Sequence, residues 1–600
     1  MRASLMVALC MAAACGAPGA ELGDGGGGGG GDGGGGGSGG DLGGTGPGSA
    51  CIPQCTNKSC GSDGCSGSCG VCASGQICAS DQCAAITGDA IQVDVNAARH
   101  PIRPEVYGTA FASQKTATAL RTPVNRWGGN GTTRYNWQLD VHNSASDWFF
   151  ENIVDNGTGT QGTAGYISTA DQFVLDNQAA KADSLMTIPT IGWTPKDRVT
   201  SGGHSCGFPV SKFSGQQKID PYDANCGNGL NSAAKAIGTA DPHDTSMAVD
   251  VAYEQSWLTH LVGKFGKASA GGIKYYALDN EMMLWSSTHA DVHPAAVTYD
   301  EVWQKTLDYA PMIKSVDPTA SVLGYVAWGV FDLFQSGADT NTNLADKKAH
   351  GNKPLAQWYL EQAAAYEQAH GQRIVDCLDV HYYPQGGDPL VNSRSLWDPS
   401  YHDPSWIDGW LGEPIQYLPR LAKWIAAAYP GTGICVTEYN WHLYDQTNPE
   451  AALAEADVLG IFGSFGVRMA NYWTTPTDDK DNPLPAFYGL KMFRNFDGAG
   501  GAFGDTSVSA ATTLAEVAVY AATDAQSSKV TLVVINKGAA AQSGNLVLQN
   551  FMPGASAKVY SYTATAGATL VAKPDLPSSG GKFAISLPAK SMQILSIPKN

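Results

Sequence analysis

Two glutamates stand where short apolar runs stop. The run Lys274-Tyr275-Tyr276-Ala277-Leu278-Asp279-Asn280 ends at Glu281, and Gly433-Ile434-Cys435-Val436-Thr437 ends at Glu438. One strand-end Glu is better read as a solvated residue or a helix cap. Two at the ends of separate strands fit a reaction that needs one carboxylic acid to protonate a leaving oxygen and one carboxylate to attack carbon or activate water, which is glycosidic bond cleavage. Asn280, just before the first acid, has the chemistry to donate to a sugar 2-hydroxyl. Arg126, His381 and Tyr382 also close apolar runs and can donate to, or orient, a carboxylate. Trp127, Trp137, Trp193, Trp285, Trp328 and Trp473 lie at or near such ends. Each is about equally a sugar-stacking platform or a core residue, and Trp473 is the best placed to floor a site.

Positioning these groups takes a scaffold whose strand ends converge. Eight strand candidates occupy 106–112, 122–127, 185–191, 273–279, 322–327, 374–381, 433–438 and 469–473. Amphipathic helical patterns separate most of them, at 247–265, 300–315, 355–370 and 415–429. The alternation predicts an α/β fold, a (β/α)8 TIM-like barrel over 106–497, whose active groups belong at the C-terminal ends of the strands. Glu281 and Glu438 then end the fourth and seventh strands. From 498 to 600 the pattern is strand after strand without helices, which predicts a C-terminal β-sandwich. The alternating segment within 89–105 is expected to pair into it.

The chain has 600 residues and a formal net charge of -18, which disfavours nucleic acid and anionic membranes as partners. The 15 Trp and 24 Tyr fit a carbohydrate-active protein without requiring one. Residues 1–15 read as an export signal: Arg2, a short apolar stretch, then Ala12-Ala13-Ala14-Cys15, which resembles a lipoprotein processing site with Cys15 lipidated. A Gly-rich tether follows over 16–50. A small disulfide-rich module at 51–84 holds Cys51, Cys55, Cys60, Cys65, Cys69, Cys72, Cys78 and Cys83. Eight cysteines in an exported segment predict four bridges, with zinc at the Cys69/Cys72 pair as the weaker alternative. The module is equally a polysaccharide binder or a spacer. Cys206 is expected to bridge Cys226, whereas Cys377 and Cys435, inside strands, read as buried thiols. Gly203-His204-Ser205-Cys206-Gly207 has the spacing of a hydrolase nucleophile elbow but no flanking strand and helix, and is set aside. The loop Asp220-Pro221-Tyr222-Asp223-Ala224-Asn225 offers oxygens for a structural calcium.

Several motifs together resemble glycoside hydrolase family 44. They are Pro123-Val124-Asn125-Arg126-Trp127-Gly128-Gly129-Asn130, Tyr135-Asn136-Trp137, Ala277 to Glu281, Asp379-Val380-His381-Tyr382-Tyr383-Pro384 and Thr437-Glu438-Tyr439-Asn440. The resemblance implies a barrel plus sandwich and endoglucanase or xyloglucanase activity with retention. It also implies Glu281 as acid/base, Glu438 as nucleophile, and no cofactor. Arg126, Trp127, Asn130, Trp137, Asn280, His381, Tyr382, Trp328 and Trp473 are the expected substrate contacts. Met282 stands where many relatives carry Pro. The expected partner is a β-1,4-linked plant polysaccharide, cut by a monomer outside the cell or on its surface. A non-catalytic binder, or the same chemistry on xylan or mannan, are the alternatives.

Overall fold

The computed structural model describes residues 53–600 apart from 65–67, 71, 73, 74, 87 and 89. Cys15, the signal and tether segments, Cys51 and Cys65 lie outside the described residues.

All eight predicted strands form, and they close into one parallel barrel in chain order. They are β1 (Gly108–Ala110), β2 (Val124–Trp127), β3 (Asp183–Ile188), β4 (Tyr275–Leu278), β5 (Ser321–Ala327), β6 (Cys377–Tyr382), β7 (Gly433–Tyr439) and β8 (Met469–Tyr472). Nearly every residue in them is buried. That is why they read as continuous apolar runs: one face meets the barrel interior and the other the helices. Each strand is followed by a helix: α1 (Gln114–Leu120), α2 (Thr169–Ala180), α3 (Val251–Phe265), α4 (Tyr299–Val316), α5 (Leu355–His370), α6 (Tyr417–Ala428), α7 (Ala451–Ser464) and α8 (Pro485–Arg494). Local chemistry sets several starts. Asp250 caps α3 by accepting from the Tyr253 amide, and Thr298 caps α4 by accepting from the Glu301 amide. Thr298 and Glu301 have the spacing of a capping box.

The barrel interior is apolar below the catalytic end, lined by Val124, Leu185, Ala277, Leu323, Cys377, Cys435 and Met469. Here one expectation fails. Cys377 and Cys435 are not thiols but a disulfide with Cα atoms 5.9 Å apart. The strands β6 and β7 are neighbours with Asp379 opposite Cys435, so two side chains pointing into the same interior come within bonding reach. The bridge closes a separation of 58 residues, a constraint on the unfolded chain worth about 4 kcal/mol. The double variant Cys377→Ala/Cys435→Ala is expected to lose about that much unfolding free energy in denaturant titration. An unchanged midpoint would show that the bridge contributes nothing.

The helix-free region forms β9 (Thr506–Thr512), β10 (Val517–Thr523), β11 (Lys529–Asn536), β12 (Gln542–Gln549), β13 (Ser556–Thr563), β14 (Val571–Ser579), β15 (Lys582–Leu587) and β16 (Ser591–Pro598). Two layers enclose Val93, Leu532, Val534, Leu546, Phe583 and Leu595. Of these strands, β14 is the hardest to recognise from sequence. That strand carries Pro574 and Pro577 and is largely exposed, so it has no apolar alternation to read. The early segment Ile91–Asp94 runs antiparallel to β9 and parallel to β12, inserted between them.

Helix α7 is buried almost throughout because it lies between barrel and sandwich. Gly460 is required there, since a Cβ would meet the Tyr520 ring at 2.2 Å. Tyr520 donates to Asp457 at 2.7 Å, and Lys537 pairs with the same carboxylate at 3.0 Å. Ahead of the sandwich, bridges Cys55–Cys69, Cys60–Cys78 and Cys72–Cys83 staple a small hairpin. Their cysteines are therefore not zinc ligands. The hairpin docks on β9 through Ile77, Ile86 and Ala511, and through the Cys78 amide, which donates to Ser509 at 2.9 Å.

Candidate active site

The fourth strand delivers its acid through a strained turn. Asp279 and Glu281 both sit in the left-handed region, at φ 63° and 45°, a conformation that non-glycine residues hold only when their surroundings fix it. Here the fixing group is the Asp279 carboxylate, which accepts from Thr133 Oγ1 at 2.6 Å, the Thr190 amide at 2.5 Å, Thr190 Oγ1 at 3.0 Å and the Asn280 amide at 2.8 Å. Asn280 and Glu281 are thereby placed at the barrel mouth.

The seventh strand uses a bulge. The pairing of β6 and β7 slips between Val380 and His381, so Val380 faces Val436 while His381 faces Glu438. Thr437 is the extra residue. A bulge re-aims side chains, and Thr437 and Glu438, although consecutive, both reach interior groups.

Those groups are well defined. Arg126, fully buried, donates Nη1 to Glu438 Oε1 at 2.6 Å and Nη2 to Asn280 Oδ1 at 2.7 Å. Tyr383 donates to Glu438 Oε2 at 2.8 Å. His381 Nδ1 is 2.8 Å from Glu281 Oε1, and its Nε2 is 3.2 Å from Thr437 Oγ1. Thr437 donates to Asp379 at 2.7 Å. A carboxylate oxygen of Glu281, a ring nitrogen of His381 and a carboxylate oxygen of Glu438 lie within 4.8 Å of one another. Asn130 accepts from Asn280 Nδ2 at 3.1 Å and donates to Asp147. Trp473 lies under the Arg126 guanidinium, 5.5 Å from its ring centroid. Gly129, at φ 82°, lets the indole close in, since a Cβ would meet it at 2.4 Å.

Burial sets the protonation of several groups in the site. Desolvation pushes the Glu281 carboxyl up to about 8, against the pull of Arg126 and with a push from Asp147. Burial holds His381 down to about 3, so the imidazole is neutral. Burial raises Asp379 to about 7, again opposed by Arg126. Glu438 has two direct donors, one of them a guanidinium.

The structure therefore gathers Glu281, Glu438, Asn280, Arg126, Asn130, His381 and Trp473. Trp328 lines a small recess beside them with Tyr383 and Trp406. Three expected sugar contacts have their rings held in packing with other aromatic side chains. Tyr382 is 2% exposed and packs between Tyr417 and Trp441. Along β6 and into the residue after it, Asp379, His381 and Tyr383 share the inward face, so the neighbouring tyrosine serves the site. Trp127 packs among Phe111, Tyr135 and Phe173. Trp137 stacks on His260 of α3 at 5.7 Å. Among the other tryptophans, Trp285 is fully buried core and Trp193 packs edge-on to His243. Residues the sequence reading missed are Tyr383, Asp379, Thr437 and Asp147. Strand alternation through His381 points to the first two.

Residues 141–386 match the sequence model of glycoside hydrolase family 44. The chain is 37% identical to the structure of CelM2, a bifunctional glucanase-xylanase from a metagenome library, at a TM-score of 0.79 over 86% of this chain and 100% of that one. It is 29% identical to a Paenibacillus polymyxa xyloglucanase of glycoside hydrolase family 44, at a TM-score of 0.69 over 85% and 99%. It is also 31% identical over 483 residues to endoglucanase A of Paenibacillus lautus, covering 76% of this chain and 64% of that relative. A β-mannanase/endoglucanase A of Caldicellulosiruptor saccharolyticus matches at 29% identity over 74% of this chain and 34% of its own length. The chain thus spans less than two thirds of either curated relative. With these likenesses added to the barrel, the sandwich and the paired acids, the chain belongs to glycoside hydrolase family 44.

Proposed function

We propose that the protein is a retaining endo-β-1,4-glucanase acting on cellulose-like glucans or xyloglucan. Glu281 is its acid/base and Glu438 its nucleophile. The observation that carries this is the pair of carboxylate oxygens within 4.8 Å of each other. Double displacement uses acids ~5–5.5 Å apart, whereas inversion needs ~6.5–9.5 Å to admit a water. The electrostatics agree with the roles. A carboxyl pushed up to about 8 keeps its proton at neutral pH, and a carboxylate held by Arg126 and Tyr383 stays ready to attack.

The hydrogen bonds give the protons a direction. With Asp379 ionised, the Thr437 hydroxyl donates to it, so Thr437 accepts from His381 Nε2. Nδ1 is then an acceptor, and the hydrogen between it and Glu281 comes from the protonated acid. In the first step Glu281 protonates the glycosidic oxygen while Glu438 attacks the anomeric carbon. In the second, ionised Glu281 takes a proton from water, which hydrolyses the glycosyl-enzyme. Asn280, held by Arg126 and Asn130, is aimed to donate to the 2-hydroxyl. Every proton and electron pair is supplied by the two carboxyls and water, so the reaction calls on no cofactor.

The substrate reading draws on the relatives, which are named for glucan and xyloglucan. The bifunctional glucanase-xylanase favours xylan as a second substrate. Reducing ends released from carboxymethylcellulose, xyloglucan, xylan and mannan decide among these. Release from the first two by the native protein, and not by Glu438→Gln, is the expected result. No release from any polymer would leave only a carbohydrate binder. The disulfides fit an oxidising compartment outside the cytoplasm. Attachment to a membrane through Cys15, action as a monomer and a structural cation at the loop of Asp220 and Asp223 complete the reading.

A further inference from the structure

The loop between β3 and α3 brings a third chemical cluster together, outside the catalytic mouth. Glu151, at the edge of a small three-stranded sheet, pairs by a β-bridge with Cys206. Cys206 is joined to Cys226 by a disulfide. These two links place Glu151, His204 and Asp220 so that one potential ligand atom from each lies within 4.8 Å of the others. His204 Nδ1 is 3.4 Å from Glu151 Oε2 and 3.4 Å from Asp223 Oδ2. Both are too long for good hydrogen bonds, but the ~3.4 Å between His204 and Glu151 is the edge of a tetrahedron with ligands ~2.1 Å from a central ion.

Two further observations point inward. Asp220 is only 3% exposed, yet its Oδ2 has no hydrogen-bond partner. His204 Nδ1 has none either. A buried carboxylate oxygen without a donor costs free energy unless a cation meets it. Behind the imidazole, Asp223 accepts from the His204 amide at 2.6 Å and fixes the loop that presents it.

We propose that Glu151, His204 and Asp220 bind one divalent ion of the zinc class, a structural staple for this loop. The ligand set decides the class. One imidazole nitrogen and two carboxylates suit zinc, whereas calcium takes six to eight oxygens and no nitrogen. The oxygen-rich loop that suggested calcium in the sequence is completed by His204 and Glu151, which the sequence alone does not bring to it. The staple bears on the cleft. Tyr222, between Asp220 and Asp223, is 72% exposed and stacks on Trp148 at 6.1 Å. Trp148 adjoins Asp147, the residue bonded to Asn130.

The test uses tag-free full-length protein, stripped with a chelator and reloaded with zinc chloride or calcium chloride. The expected result is about one zinc per chain by elemental analysis and a thermal midpoint about 5 °C higher with zinc, with no rise from calcium. His204→Ala and Asp220→Asn should lose both the zinc and the shift while keeping measurable polysaccharide cleavage. Zinc below about 0.2 per chain after loading, or an equal rise with calcium, overturns the proposal. If a variant does not fold, cobalt(II) bound to the native protein decides: intense visible bands support a tetrahedral nitrogen–oxygen site, and the pale spectrum of an octahedral ion refutes it. Zinc retained by either variant also overturns the proposal, whereas a zinc-loaded native protein that cleaves no polysaccharide would count against the catalytic reading and leave the metal site standing.

Discussion

Glu438→Gln lowers kcat on xyloglucan or carboxymethylcellulose by on the order of 10⁵-fold, the scale seen when a nucleophile is removed from an intact site. The isosteric amide keeps the contacts of Tyr383 and Arg126 close to native shape, so the loss reports chemistry and not collapse. The companion Glu438→Gly opens the space the carboxylate occupied. Added azide is expected to restore turnover there on an activated aryl glycoside and to yield a glycosyl azide of inverted configuration. Activity in Glu438→Gln within tenfold of native, or rescue without inversion, removes Glu438 from the nucleophile role.

Glu281→Gln has the second largest effect. On polysaccharide, where the leaving oxygen needs a proton, a loss of about 10³-fold is expected. On aryl glycosides with acidic leaving groups the first step survives and the glycosyl-enzyme accumulates as a burst. The pH profile carries a further signature. Because burial pushes this carboxyl up to about 8, the native rate should fall as pH rises through that value, and the fall should vanish in the variant. Stability follows the same protonation. Between the ordinary carboxyl range near 4.5 and about 8 the unfolded chain releases this proton while the folded chain keeps it. Native stability therefore declines with rising pH across that window, and Glu281→Gln is spared the decline. The variant's advantage in thermal midpoint should be small at pH 4 and larger at pH 8. A constant difference would mean that Glu281 is not held protonated.

The scaffold was readable because of how it is buried. Barrel strands covered on both faces leave unbroken apolar runs, and the two acids mark where those runs meet solvent. The failures share a cause. They concern which way a side chain points, and single-strand sequence is weakest there. Tyr382 was chosen over Tyr383 because the apolar run offers both, while only alternation from Asp379 and His381 separates them. Thr437 could not be placed because its inward aim comes from a bulge against β6, a property of two strands. Cys377 and Cys435 read as buried thiols because each lies inside a strand, although those strands are neighbours and the two side chains bond across them. Trp127 and Trp137 sit in motifs rich in functional residues, yet the core claims their rings. Conversely, the buried polar string Asp379–Thr437–His381 is invisible to hydropathy, since all three members lie inside strands that read as apolar.

The insertion of Ile91–Asp94 between β9 and β12 has a mechanical meaning. Tension arriving through residues ahead of 91 pulls that strand along its own axis. Its hydrogen bonds to both neighbours are then loaded together in shear, and none can be unzipped singly. The load ends in the sandwich, and the strained turn at Glu281 in the barrel does not feel it. A protein dragged along a fibre by its N-terminal side would keep its two carboxyls in register.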